Sequence, residues 1–329
     1  MRVLVGDIGG TKTGLAVAEV DGDQVAVSEA VRYPSGDYGA LADIVRRYLD
    51  EAGAVCDAGS FAIAGPVVDR HSKTTNLPWE VDAAELEQAL DLGRVHLLND
   101  LEAVAWGVAA LGADDLAEVQ AGEPDASGEA RGNACVVAPG TGLGEAGLYW
   151  DGERHHAFAT EGGHTDFAPT DQREFALLQH LQGRFGRVSW ERVVSGMGIG
   201  NIYSFLADFH RAEHPPAVAS ALAGDGDLAA AVAESADSGC PVCAETMDLF
   251  AVLFGREAGN MALKHMALGG VYLGGGIAPK NLDLLRAGGF QQGFLEKGRM
   301  RSLMERMPVR VILNQQAPLL GAGRFAAQD

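Results

Sequence analysis

One pattern occurs twice in this chain: a strand-like apolar run, a glycine loop, a second strand, an Asp-Gly turn and a third strand. The first copy is Arg2 to Val5 ending in Gly6-Asp7-Ile8-Gly9-Gly10, then Gly14 to Val20, the turn Asp21-Gly22-Asp23, and Gln24 to Tyr33. The second is Asn133 to Ala138 ending in Pro139-Gly140-Thr141-Gly142, then Leu143 to Trp150, the turn Asp151-Gly152, and Arg154 to Thr160. The starts lie about 130 residues apart, which reads as an internal duplication. Tight turns at such short spacings predict an antiparallel meander in each half. Two α/β halves that each open with a glycine hairpin make a clamp for a polyphosphate.

The first copy continues with a helix over Tyr38–Ala52, a buried strand over Phe61–Val67, a helix over Ala83–Leu90, a strand over Val95–Asn99 and a helix over Leu101–Leu111. The order is βββαβαβα. Gly112 to Arg131 is acidic and glycine-containing, which predicts a linker or surface excursion. Ala212 to Ser238 is rich in alanine and aspartate and predicts a mobile surface helix pair. A long helix follows, with Met247, Ala251, Phe254, Ala258, Met261 and His265 spaced 4-3-4-3-4 as one apolar stripe. Val271–Leu273 is a strand closed by Gly274-Gly275-Gly276, Val309–Leu313 a last strand, and Leu319–Ala327 a last helix.

At 329 residues the chain exceeds one ordinary core, and 47% hydrophobic residues can fill two. A formal charge of −20 repels nucleic acid and anionic membrane, so neither is expected as a partner. A nucleotide site must then build its own positive potential from backbone N–H groups and Mg²⁺. The N-terminus enters a strand at once, without a signal-peptide core, and no apolar run reaches the ~18 residues of a membrane span. Four cysteines do not suggest a disulfide framework. These features predict a soluble, cytoplasmic protein.

The chemistry-bearing residues fall into four groups. In Asp7-Ile8-Gly9-Gly10-Thr11-Lys12, the glycines let successive N–H groups face phosphate oxygens, Thr11 adds a hydroxyl and Lys12 a charge. Asp7, at a strand end, suits Mg²⁺ held directly or through water. Gly140-Thr141-Gly142-Leu143-Gly144 repeats the design without the acid. Neither loop is a Walker loop. Each alone reads equally as a β-turn; the pair is what points to phosphate.

Asn99-Asp100 stands at a strand-to-helix junction. Asp100 can take the proton of an attacking hydroxyl, while Asn99-x-x-Glu102 also reads as a helix capping pattern. The two roles are compatible. In Glu161-Gly162-Gly163-His164, two glycines make a narrow bend that presents a carboxylate and an imidazole to one ligand, although a lone His is often structural. Glu191 precedes Ser195-Gly196-Met197-Gly198 and reads by itself as a surface acid. Gly274-Gly275-Gly276 is a strand-end turn able to admit a flat base, or simply a turn. Cys240-Pro-Val-Cys243 lacks the second pair that would complete a tetrahedral zinc site, so no catalytic role is assigned to it.

The stretches VGDIGGTK, AIAGPV, TTNLPW, LLNDLEAVAWG, APGTGLG, EGGHTDFAP, ERVVSG and YLGGGIAPK, in this order, resemble the bacterial glucokinase family of the actin-like ATPase and hexokinase superfamily. The resemblance covers nearly the whole chain. It implies a two-lobed actin-like (ribonuclease H-like) α/β fold, each lobe a mixed sheet with helices, with the active site in the interdomain cleft. The expected domains are residues 1–110 with 306–329, and 111–305. The implied activity is ATP-dependent phosphorylation of D-glucose at O6. The implied glucose ligands are Asn99, Asp100, Glu161, His164 and Glu191, with Asp100 as base. ATP is expected at Asp7, Gly9, Gly10, Thr11, Lys12, Gly140, Thr141, Gly142 and Gly275, Mg²⁺ at Asp7, and the protein as a homodimer. Lys12 varies within the family and is given no essential role. The related repressor–kinase–open-reading-frame group usually carries a cysteine-rich zinc motif that is absent here. Alternatives on the same frame are a kinase for mannose or an amino sugar, a non-catalytic sugar sensor, and an actin-like filament or chaperone ATPase.

Overall fold

A computed structural model describes residues 1–22, 24–74, 77–123 and 131–328. Asp23 of the first Asp-Gly turn, Thr75 and Asn76 of TTNLPW, and residues 124–130 of the expected linker lie outside the described residues.

The chain divides into two compact units. The first comprises Met1–Leu116, Ala146–Ala159 and Leu313–Asp329; the second comprises Ala117–Glu145 and Thr160–Ile312. The first half runs β1 (Arg2–Ile8), β2 (Lys12–Asp21), β3 (Gln24–Val27), β4 (Val31–Pro34), α1 (Leu41–Ala52), β5 (Ala58–Ile63), β6 (Val67–Val68), β7 (His71–Lys73), β8 (Glu80–Asp82), α2 (Ala83–Leu90), β9 (Val95–Asn99) and α3 (Asp100–Val108). Its main sheet has the order β3-β2-β1-β5-β9, with β4 also on β2. β1 pairs antiparallel with β2 and parallel with β5, which is parallel to β9. All six residues of β5 are buried, as expected of an apolar run covered on both faces. In α1 the buried residues are Leu41, Ile44, Val45 and Tyr48, the i, i+3, i+4, i+7 stripe of an amphipathic helix. Asp82 caps α2 by accepting from the N–H groups of Ala84 and Glu85.

The second half runs β10 (Leu116–Gln120), β11 (Ala134–Pro139), β12 (Leu143–Trp150), β13 (His155–Thr160), α4 (Gln172–Phe185), α5 (Gly196–His210), α6 (Pro216–Leu222), α7 (Leu228–Asp237), α8 (Pro241–His265), β14 (Gly270–Leu273), α9 (Ile277–Lys280), α10 (Leu282–Arg286), α11 (Gly289–Leu295), α12 (Arg301–Met304) and β15 (Val309–Ile312). The last helix, α13 (Ala317–Ala326), returns to the first unit. The second sheet has the order β10-β15-β14-β11-β12-β13. Read from the hairpin outward, β13-β12-β11-β14-β15 repeats β3-β2-β1-β5-β9, so the duplication extends to the whole five-strand path; β10 is an added edge. The core of the second unit is built largely on α8, whose Met247, Ala251, Phe254, Ala258 and Met261 are all buried, while His265 at the end of the stripe is half-buried.

Several boundaries differ from those read in the sequence. Gln24 to Tyr33 is two strands, because Ser28 turns its side chain to the ladder: its Oγ accepts the Val17 N–H at 3.1 Å and the extended run breaks there. The strand expected over Phe61–Val67 is Ala58–Ile63, stopped by Gly65 at φ +146° and by Pro66, which has no N–H to give. The expected linker holds the edge strand β10. α6 and α7 form the expected helix pair.

Candidate active site

In the first unit the candidate residues stand at the carboxyl ends of parallel strands, where open α/β sheets bind ligands. Asp7 pairs with Ala62 across β1 and β5, and Ile63 pairs with Asn99 across β5 and β9. Asp7 and Asn99 thus share one edge of the sheet, two strands apart. Burial pushes the Asp7 carboxyl above its ordinary range, opposed by Arg32. The Gly9-Gly10-Thr11 loop is held from beneath by Ser35. Its hydroxyl donates to the Gly9 carbonyl at 2.8 Å, and its N–H donates to the Thr11 carbonyl at 3.0 Å. The Gly9 N–H closes the turn on the Lys12 carbonyl at 3.0 Å. Thr11 and Lys12 are exposed.

Asn99 is the N-cap of α3. Its Oδ1 accepts the N–H groups of Leu101 at 3.0 Å and Glu102 at 3.3 Å, and its Nδ2 donates to the Gly65 carbonyl at 3.1 Å. Asn99 thus caps α3 through its own side chain, the first half of the pattern read in the sequence. Asn99 therefore spends its oxygen on the helix and keeps one amide hydrogen for a ligand. Asp100 is the first helical residue, half-buried, with Oδ1 accepting the Leu101 N–H at 3.0 Å. The cap fixes the direction in which α3 presents it.

In the second unit the parts are joined through Leu143, at the start of β12. Glu191 Oε2 accepts the Leu143 N–H at 3.1 Å. A Cβ on Gly142 would sit 2.3 Å from the same oxygen, so the loop admits no side chain there. A Cβ on Gly163 would sit 2.2 Å from the Leu143 carbonyl, and one on Gly162 would sit 1.9 Å from Glu145 Oε2. The two glycines of the Glu161–His164 bend are thus required by its close seat on β12. The bend is a single 3₁₀ turn closed by the His164 N–H on the Glu161 carbonyl at 3.1 Å. His164 lies between two acids: Nε2 is 3.9 Å from Glu161 Oε2 and Nδ1 is 3.9 Å from Glu191 Oε1. These separations are too long for direct hydrogen bonds and leave the three groups available to a polyol. Glu161 and His164 are exposed, whereas Glu191 is only 18% exposed and is a fixed anchor.

The second glycine loop is pinned at Gly140, whose N–H donates to the Gly142 carbonyl and whose carbonyl accepts the Gly196 N–H, both at 2.8 Å. Gly196 opens the 15-residue helix α5, capped by Ser195. The positive end of its dipole therefore lies at the loop, a setting that favours phosphate. Gly275 adopts φ +74°, and a Cβ there would meet the Pro139 carbonyl at 2.4 Å, so the β14 turn packs onto the strand leading into this loop.

Sequence reading missed two structural partners of the site. Ser35 is buried beneath the first loop with no motif around it. Ser195 grips Glu191 by donating to its carbonyl at 2.7 Å; its signal was the Ser-Gly pair at a helix start. Cys240 and Cys243 are free thiols, Cys243 buried. Among the described residues no group of three or more His, Cys, Asp or Glu could hold a metal, and no helix is long and apolar enough to cross a membrane.

The duplicated α/β frame and the comparisons with known proteins make the chain an ATP-dependent hexose kinase of the actin-like ATPase fold. The glucokinase family model matches residues 4–329. The chain is 40% identical to the glucokinase of Synechocystis sp. over 358 aligned positions, covering 100% of this chain and 99% of that one. It is 36% identical to that of Stenotrophomonas maltophilia strain K279a, covering 99% and 95%. Among solved structures, a glucokinase from an Antarctic psychrotroph superposes with a TM-score of 0.85 at 30% identity, covering 100% of this chain and 99% of that one. A glucokinase of the repressor–kinase group from Streptomyces griseus, solved with glucose and AMPPNP, shares the fold at a TM-score of 0.66 and 22% identity, covering all of both chains. The chain belongs to the glucokinase family.

Proposed function

We propose that this member of the glucokinase family transfers the γ-phosphoryl group of ATP to O6 of D-glucose, with Asp100 as general base. Glu161, His164, Glu191 and the free amide hydrogen of Asn99 orient the sugar through its hydroxyls. Asp100 accepts the O6 proton as O6 attacks phosphorus in line. The N–H groups of the Gly9–Lys12 and Gly140–Gly142 loops carry the phosphates, with adenosine beside Gly275. The observation that carries the sugar assignment is the single imidazole held 3.9 Å from two carboxylates on a bend too close-packed to be anything but glycine.

Asp7 fits Mg²⁺. It is one carboxylate at a strand end, its burial opposed by a single arginine, and Mg²⁺ is commonly held by one or two carboxylates together with water and phosphate. When bound, the ion supplies charge neutralisation at the phosphate oxygens. The same reading includes a homodimer in the cytoplasm, acting at the entry of glucose into glycolysis; light scattering of the purified protein tests the dimer. A panel of hexoses with ATP and Mg²⁺, followed by ADP release, tests the reaction. Glucose giving the highest kcat/KM supports it, and mannose or an amino sugar exceeding glucose replaces it.

A further inference from the structure

Beneath the Glu161–His164 bend lie two buried acids that the proposed reaction does not use. Glu145, the third residue of β12, is 1% exposed, and Glu257 of α8 is fully buried. Their side chains adjoin. Both carboxyl oxygens of Glu145 and Oε1 of Glu257 are without a hydrogen-bond partner, while Glu257 Oε2 accepts from Asn260 Nδ2 at 2.8 Å.

Little positive charge faces them. Lys264, also on α8, brings Nζ to 3.9 Å from Glu257 Oε1, but its side chain is 53% exposed. Lys297, beyond α11, donates to the Arg256 carbonyl at 2.9 Å and to Asn260 Oδ1 at 2.7 Å. Arg256 is paired with Glu174 at 2.8 Å and Glu296 at 3.0 Å. From β11 the remaining neighbour is the Cys135 thiol, itself pushed up by burial and by these two acids. Two buried carboxyls side by side in such surroundings resist ionising together. Burial first, and then the neighbouring Glu257, push the Glu145 carboxyl up to about 9, opposed by Lys264. Burial raises Glu257 as well. Of the two, Glu145 is the one that keeps its proton longer.

The position of Glu145 ties it to the sugar bend by two routes. Its Oε2 lies where a Cβ of Gly162 would be, 1.9 Å from that point, so the carboxyl rests against the Gly162 backbone. Its own carbonyl accepts the Thr160 hydroxyl at 2.9 Å, and that hydroxyl oxygen accepts the Gly162 N–H at 3.3 Å. Nothing lies between this carboxyl and the backbone that sets the spacing of Glu161 and His164.

We propose that Glu145 is a positioning residue for the hexose: held as a neutral acid beside Glu257, it is the floor on which the Gly162-Gly163 bend rests, and its ionisation displaces the bend and weakens sugar binding. The inference rests on the reading that Glu161 and His164 hold the sugar. A second anion beneath the bend repels both Glu257 and, on the ligand side, Glu161 and Glu191. Neutral glutamine fills the same volume without that repulsion.

The test is calorimetric titration of glucose into full-length wild type, Glu145→Gln and Glu257→Gln, with circular dichroism reporting the folded state at each pH. In wild type the glucose Kd stays level through neutral pH and weakens above about pH 9, approaching tenfold per pH unit for one linked proton. In Glu145→Gln the alkaline weakening is absent. In Glu257→Gln it begins at lower pH, because the like charge that raised Glu145 is gone; this variant carries the test should Glu145→Gln not fold. An alkaline break shared by wild type and Glu145→Gln, a break unmoved in Glu257→Gln, or a level wild-type profile to about pH 10 overturns the inference alone. No glucose binding at any pH removes the hexose reading, and the inference with it.

Discussion

Glu191 accepts the backbone N–H of Leu143 at 3.1 Å while its other oxygen faces the His164 imidazole at 3.9 Å. One carboxylate therefore holds the start of β12, just after the second glycine loop, and flanks the proposed sugar array. Glu161 has no such second duty; it projects from the bend and is 63% exposed.

The two acids should separate in kinetics. Glu161→Gln should raise the KM for glucose about tenfold and leave that for ATP near its original value, the scale of one charge-assisted hydrogen bond. Glu191→Ala should raise both constants, because Leu143 and Gly142 lose their anchor. Initial rates with each substrate varied in turn measure this. An ATP effect confined to Glu161→Gln would move the Glu161–His164 bend to the nucleotide side.

Gly162→Ala should damage the sugar site without touching the sugar. The new methyl would fall 1.9 Å from Oε2 of the buried Glu145, so that the carboxyl or the bend must shift. Overpacking of this kind destabilises by about 1–3 kcal/mol, and the backbone shift that relieves it moves Glu161 and His164. The expected outcome is a lower melting temperature and a raised glucose KM. A wild-type glucose KM in the folded variant would show that the bend tolerates movement.

Glu145→Gln should stabilise the protein, increasingly so as pH rises. The Glu145 carboxyl stays protonated in the folded state to about 9 but ionises near 4.5 when unfolded. Between those values the folded state binds more protons, so this group's contribution to stability is full below about 4.5 and is lost as pH rises toward 9. Glutamine does not titrate. The melting-temperature difference between variant and wild type should therefore widen from mildly acidic to mildly alkaline pH. A difference that is constant with pH would mean that Glu145 is not held neutral.

Replacing Cys240 and Cys243 together by alanine should preserve most activity. Cys243 is buried, and burial with the adjacent Cys240 pushes its thiol up to about 12, so it is a poor thiolate. Alanine avoids placing a hydroxyl in that apolar site. Stoichiometric zinc in the purified protein, with activity lost on its removal, would contradict this.

The duplication was legible because it is local: strand, loop and turn are contiguous, and each hairpin forms from neighbours in sequence. The capping of α3 was legible for the same reason, as Asn99 and Glu102 are three residues apart. The need for glycine at 162 and 163 was not, because Glu145 and Leu143 reach the bend only through sheet pairing across β12 and β13. Glu145 itself read as one residue of a strand, and only its inward face, shared with Leu143, makes it a buried acid. The break at Ser28 was missed because a serine hydroxyl replaced a ladder bond without any glycine or proline to signal it.

If Asp100 takes the proton from the glucose hydroxyl, Asp100→Asn removes the acceptor and little else. Asparagine keeps the size of the side chain and can still accept the Leu101 N–H, so α3 should start as before. Turnover measured by coupled ADP release should fall by at least ~10²-fold, the scale of losing a general base, while the calorimetric Kd for glucose stays close to wild type. Near-normal turnover in the folded variant would rule Asp100 out as the base and leave it as part of the helix start alone.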